Sequence, residues 1–137
     1  MQKAAFSIEK YVFDKVNIDL SNYVSQEISL SFETKGAFIG ENSQYELVFS
    51  IKAYNEDKSI QMPFLYVQCI GMFSFQNVNS VSEIPDFFYR NSIAILFPYL
   101  RAYVSVVTTQ ANVPGIILPT LNLSSLEDGL RKNTIEK

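Results

Sequence analysis

A chain of 137 residues that is 47% apolar and 18% charged has the make-up of one globular domain spanning positions 1–137. Its 11 basic and 14 acidic side chains leave a formal net charge of −3, which gives no concentrated basic face for nucleic acid or for insertion at an anionic membrane. The sequence has no histidine and one cysteine, Cys69, so the usual proton shuttle, the commonest metal ligand and any intrachain disulfide are missing. That points to a reducing compartment and removes most hydrolase and metalloenzyme schemes, so no cofactor is expected. Met1 to Phe6 lacks the apolar core of a secretory signal, so the expected location is the cytoplasm.

The first half reads as strands. Phe6, Ile8, Val12, Val16, Ile18 and Leu20 share one parity, against Ser7, Glu9, Lys15, Asn17 and Asp19 on the other, which predicts a strand with one buried face. Tyr11 and Phe13 break the polar parity, so something is expected to lie against the outward face as well. Alternation returns in Ile28, Leu30 and Phe32, and again in Tyr45, Leu47, Phe49 and Ile51, predicting two more half-buried antiparallel strands. Between them, Gly36 to Gln44 reads as a long connection containing the apolar pair Phe38 and Ile39. That pair either tucks into the core or walls an apolar groove, and Tyr23 and Val24 in the preceding connection pose the same choice. After a polar turn at 55–59, Pro63 to Phe75 is apolar or uncharged on both parities and predicts a fourth strand covered on two sides. Cys69 lies in this strand, where an unpaired cysteine acts as a small hydrophobe. No histidine exists to activate it and no basic residue is close in sequence.

Between Ile84 and Ala111 the apolar spacing becomes helical, with Ile93, Leu96, Phe97, Leu100, Val104 and Val107 on one stripe. The longest apolar run, Ile93 to Val107, has 15 residues and contains Pro98 and Arg101, short of the roughly 20 clean residues of a membrane-spanning helix. A second stripe of Ile95, Tyr99, Ala102, Tyr103 and Val106 is apolar too. Such a helix needs cover on both sides, and a chain of this length supplies one sheet, so the second cover is expected from another subunit. Val113 to Pro119 predicts an extended hydrophobic loop. Ser124-Ser125-Leu126-Glu127-Asp128 predicts the capped start of a short helix with Leu126 and Leu130 on one side.

The run Ile95-Leu96-Phe97-Pro98-Tyr99-Leu100-Arg101, then Pro114, then Leu118-Pro119-Thr120-Leu121-Asn122-Leu123, resembles the SecB protein-export chaperone family. That family's helix carries an I-L-F-P-Y-A-R run, and its helix exit ends in P-x-L-N-L. Tyr45-Glu46-Leu47-Val48 and Gly71-Met72-Phe73-Ser74 are similar to the family's third and fourth strands. The resemblance implies an α+β fold: a four-stranded antiparallel sheet with a long helix and a short C-terminal helix packed on one side. It also implies a homotetramer built as a dimer of dimers, with the long helices sandwiched between sheets.

In function the resemblance implies an ATP-independent holdase that takes unfolded polypeptides into apolar grooves. Carried over by position, groove candidates are Tyr23 and Val24 in the crossover loop, Phe32 and Phe49 on the sheet, and Ile116, Ile117, Leu121, Leu126 and Leu130 on a second wall, with Phe38 and Ile39 added from their own pattern. Interface candidates are Ile95, Tyr99, Tyr103 and Val106 on the helix and Tyr66, Gln68 and Cys69 on the fourth strand. SecA is the family's export partner and is recognised through acidic sheet positions. Here Asp19 fits one such position, while Lys15 and Tyr66 stand at others. The alternative is a SecB-like protein dedicated to one partner, such as an antitoxin. Catalysis has little to draw on: Asp14, Asp19, Glu56 and Asp57 are the clustered carboxylates, and Asp14 and Asp19 differ in strand parity and cannot pair.

Overall fold

A computed structural model describes residues 5–57, 59–113, 116, 118 and 123–137. Four long strands come first: β1 (Ala5–Ile18), β2 (Ile28–Ile39), β3 (Gln44–Asn55) and β4 (Leu65–Gln76). They are followed by α1 (Asp86–Gln110), α2 (Leu123–Lys132) and a short β5 (Thr134–Glu136). The sheet order is β1-β4-β3-β2-β5. β1 to β4 pair antiparallel as the alternation predicts, but the sheet has five strands and is mixed, because β5 joins the β2 edge in parallel with Gly36 opposite Thr134. Three residues carry no readable period. β5 is placed by the turn that ends α2, where Asn133 C=O accepts from Gly36 N–H at 3.1 Å and Lys137 N–H donates to Phe38 C=O at 2.8 Å.

Two corrections concern β1 and β2. The β1–β4 register shifts at Glu9 and again at Asp14, each an extra residue in β1. Phe6, Ile8, Tyr11, Phe13, Val16 and Ile18 therefore stand opposite Phe75, Phe73, Gly71, Cys69, Val67 and Leu65, all on the helix-facing side. Tyr11 and Phe13 lie under the helix and not on the outer face, and Val12 takes the outer face beside Ile70. In the same way, Gly36 to Ile39 is strand and not connection. Gly36 fits there because the Tyr45 phenol lies directly over it, where any Cβ would collide with the ring.

The helix-facing side of the sheet and one stripe of α1 form the core. Phe38, Tyr45, Leu47, Phe49, Ile51, Phe73 and Cys69 are buried against Phe88, Ile93, Leu96, Leu100 and Val104. Leu96 seats over Gly71, which has no side chain to hold it off. This buried stripe accounts for part of the apolar character of α1, which is by length and composition apolar enough to cross a membrane and has a third of its most apolar window buried. Pro98 is accommodated on the exposed side of the helix. The helix ends where Asn112 turns into the left-handed region at φ 63°. α2 begins at Leu123, ahead of the expected cap, so Ser124 lies inside the helix and its Oγ accepts from Arg90 at 2.6 Å. Arg90 also pairs with Glu127 at 3.8 Å, which holds α2 beside α1.

Candidate functional site

Along the β2 side of the molecule the core thins into a half-buried apolar margin. Ile28, Leu30 and Phe32 face the helix side of β2, and none is fully covered. Phe32 meets Phe49 and Phe97 edge-on, each at 6.3 Å. Gly36 N–H and Phe38 C=O point away from β3 toward segment 133–137, so the even-numbered residues of β2 carry their outward backbone groups on this edge. β5 covers the edge opposite Gly36, Ala37 and Phe38. From Ile28 to Lys35 no strand pairs with it among the described residues.

At one end of the margin lies the crossover segment between β1 and β2. Tyr23 is half-buried with its ring edge-on to Phe64 at 4.8 Å, and Val24 is 55% exposed. The backbone on either side of Tyr23 is held by β3: Asn55 Oδ1 accepts from Val24 N–H at 3.1 Å and Ser25 N–H at 3.0 Å, and Asn55 Nδ2 donates to Asn22 C=O. At the other end α2 crosses β2, where Thr34 Oγ1 donates to Leu126 C=O at 3.1 Å. Leu126 is half-buried and Leu130 fully buried. Ile116 is buried, its N–H donating to Thr108 Oγ1 at 3.1 Å. Ile117 and Leu121 lie outside the described residues.

The structure thus brings Tyr23, Val24, Phe32 and Leu126 to one margin. Phe38 and Phe49 are fully buried in the core, and Ile39, opposite Gln44, faces the outer side of the sheet. Leu30 joins the margin, and the buried Phe64 and Asn55 support it from beneath, without having stood out in the sequence. The apolar pair belonged to ordinary strand patterns, and Asn55 was one polar residue of a turn cluster.

A second surface is formed by the outward side of α1 and the adjoining β1. Tyr99 stacks on Tyr11 at 4.2 Å and Tyr103 on Phe13 at 4.0 Å, extending the aromatic packing to the exposed flank. Val106 is 58% exposed and Ile95 half-buried. A shallow cavity of about 370 Å³ lies along the helix at Phe97, Pro98, Arg101, Ala102 and Ser105. Tyr66 and Gln68 belong elsewhere, on the outer sheet face, where Tyr66 donates to Gln68 and Gln68 Nε2 donates to both Asp14 oxygens at 3.1 and 3.0 Å. Cys69 points the opposite way into the core, and burial pushes its thiol up to about 12.

Among the described residues no group of three or more histidine, cysteine or carboxylate side chains could hold a metal ion. On the outer sheet face Lys10, Lys15, Lys35 and Lys52 are interspersed with Asp14, Glu33 and Glu46, giving no one-sided charge.

A helix-roofed mixed sheet with an apolar margin beside one strand edge defines an α+β fold with a candidate binding margin. The chain matches the SecB family, described as preprotein translocase subunit SecB, over residues 6–128, and belongs to that family of chaperones. It is 28% identical over 132 residues to the protein-export protein SecB of Nitrosospira multiformis, covering 91% of this chain and 82% of that one. It is 25% identical over 142 residues to an uncharacterised protein of Methanocaldococcus jannaschii, covering 96% and 91%. In fold it is similar to a Mycobacterium tuberculosis SecB-like chaperone solved in complex with a peptide from the HigA1 antitoxin, with TM-score 0.59, 15% identity, and 85% and 91% of the two chains covered.

Proposed function

We propose that the protein is an ATP-independent holdase that takes extended apolar and aromatic segments of non-native polypeptides along the β2 margin. The observation that carries this reading is the pairing of a half-exposed apolar row, Val24, Ile28, Leu30 and Phe32, with a stretch of strand edge that no strand covers among the described residues. Side chains of a bound segment would find apolar contact there and its main chain hydrogen-bond partners. Folded proteins seldom present apolar side chains and free backbone groups together in extended form, which supports a preference for non-native chains. Within this reading the working assembly is a cytoplasmic homotetramer, a dimer of dimers, with the outward stripe of α1 buried between subunits.

A holdase binds the unfolded state and delays refolding by mass action. Stoichiometric protein is expected to slow the refolding of several unrelated denatured clients, without nucleotide, and to leave their folded forms unbound. Refolding rates unchanged across such a set would overturn the reading. A second reading, a chaperone dedicated to one partner such as an antitoxin, is favoured by the antitoxin peptide on the Mycobacterium tuberculosis relative. One stoichiometric partner on co-purification would support it over a heterogeneous set. Delivery to SecA is the weaker expectation, since lysines offset the carboxylates on the outer sheet face.

A further inference from the structure

We infer that Asn55 is the positioning residue of the margin: its side-chain amide fixes the crossover segment from Asn22 to Ser25 in the shape that presents Tyr23 and Val24 to a bound chain. The inference rests on the holdase reading of that margin.

Asn55 is the last residue of β3 and is 5% exposed. A primary amide has two donor hydrogens and two acceptor lone pairs, and three of these four positions are used on one short segment. The oxygen takes the N–H groups of Val24 and Ser25, and the nitrogen gives to the carbonyl of Asn22. Among the described residues the segment has no strand partner of its own, and it follows a single turn, Leu20–Asn22, that is closed by Asp19. It is also tied from its own side, since Asn22 Nδ2 donates to Pro63 C=O at 3.2 Å. Two asparagines thus sew the crossover segment onto the β3–β4 hairpin.

The apolar contacts alone do not define this shape. Tyr23 rests on Phe64 through one ring edge, and Val24 is more than half exposed, so neither side chain can dictate the backbone of Val24 and Ser25. Without the amide, those two N–H groups and the Asn22 carbonyl would turn to water, and the segment would sample many conformations. Each binding event would then have to order it again, and that ordering cost is subtracted from affinity. Asn55 touches no client in this account and acts through the loop it holds.

The test compares wild type, Asn55→Ala and Asn55→Asp in binding a fluorescently labelled, permanently unfolded polypeptide, together with amide hydrogen exchange at Val24 and Ser25. Asn55→Ala is expected to weaken binding about ten-fold, with unchanged assembly mass and faster exchange at both amides. Asn55→Asp keeps the two accepted bonds but sets its other carboxylate oxygen against the Asn22 carbonyl in a buried site, so it is expected to lose affinity as well, while exchange at Val24 and Ser25 stays slower than in the alanine variant. Asn55→Ser, a smaller polar change, replaces the alanine variant if that one does not fold. Unchanged affinity in the alanine or serine variant, or exchange at Val24 and Ser25 as slow there as in wild type, would overturn the inference. If wild type itself binds no unfolded chain, the holdase reading fails, and the clamp is then judged on exchange alone: faster exchange in the variant upholds it, and equal rates overturn it.

Discussion

Tyr45 shows how one side chain can hold two elements together. Its ring lies in the core against Phe88 at 4.7 Å and over Gly36, and its hydroxyl meets Thr134 Oγ1 at 2.6 Å, while Thr134 also donates to Leu130 C=O at 2.7 Å. The phenol therefore ties β5 and the end of α2 to the sheet. Tyr45→Phe keeps the ring and deletes the bond, and is expected to cost about 1 kcal/mol in urea denaturation, with faster amide exchange confined to the C-terminal strand. Burial raises the Tyr45 ionisation above its ordinary value, as it does for Cys69. Both groups are neutral in the fold and ionise more easily once unfolded, at about pH 10 and about pH 8.5. The stability they contribute is thus complete below about pH 8.5 and is lost as pH rises above it. Denaturation midpoints should fall from about pH 8.5 upward, more shallowly in Tyr45→Phe, and the Cys69 thiol should react with a thiol probe only on unfolding. Equal alkaline slopes in the two proteins would contradict this account of Tyr45.

β1 shows how far element-scale reading of the sequence reaches and why it stops. Counting by twos from Phe6 places Phe6, Ile8, Val16 and Ile18 correctly on the helix side and misplaces Tyr11, Val12 and Phe13. Period two assumes a continuous ladder, and two bulges, five residues apart, invert the middle of the strand and then restore its end. The odd pair Tyr11 and Phe13 was the visible trace of that inversion. A prediction follows from the register. Ile8 stands opposite Phe73 and Lys10 opposite Met72, so deleting Glu9 leaves every other pairing intact and is expected to cost less than about 1 kcal/mol. Deleting Val12 instead turns Phe13 outward and drives Asp14 toward the helix, losing the stack on Tyr103, and is expected to cost about 3 kcal/mol or more. Equal costs in thermal unfolding would show that the register differs from the one described. The helix and the four long strands were legible because their periods are long. β5 was not, because three residues placed by a turn leave no pattern. Of the margin, the apolar members were legible and the asparagine that holds them was not, since its role depends on a backbone that folds back from 30 residues away.

At the scale of the whole molecule, the unresolved demand is the outward side of α1. One stripe is spent on the sheet, yet Tyr99, Ala102 and Val106 remain exposed in the single chain, beside the aromatic stacks that reach β1. Exposed helix positions tolerate charge in a monomer, where such changes stay within about 0.5 kcal/mol. In an assembly that buries this side, the same charges would be desolvated without partners and would split it. The double substitution Ala102→Glu with Val106→Glu therefore separates the two cases. If the proposed tetramer uses this face, light scattering should show the variant at half the wild-type mass or less, while far-UV circular dichroism stays that of the folded chain. The β2 margin lies on the opposite flank of the sheet from β1, so a folded, dissociated variant should still bind a short apolar peptide with the affinity of wild type. It should nonetheless lose hold of long unfolded clients, because a long chain gains its avidity from several margins on one assembly. A variant that keeps the wild-type mass would place the subunit contact elsewhere, and one that dissociates yet retains long clients equally well would show that a single margin suffices.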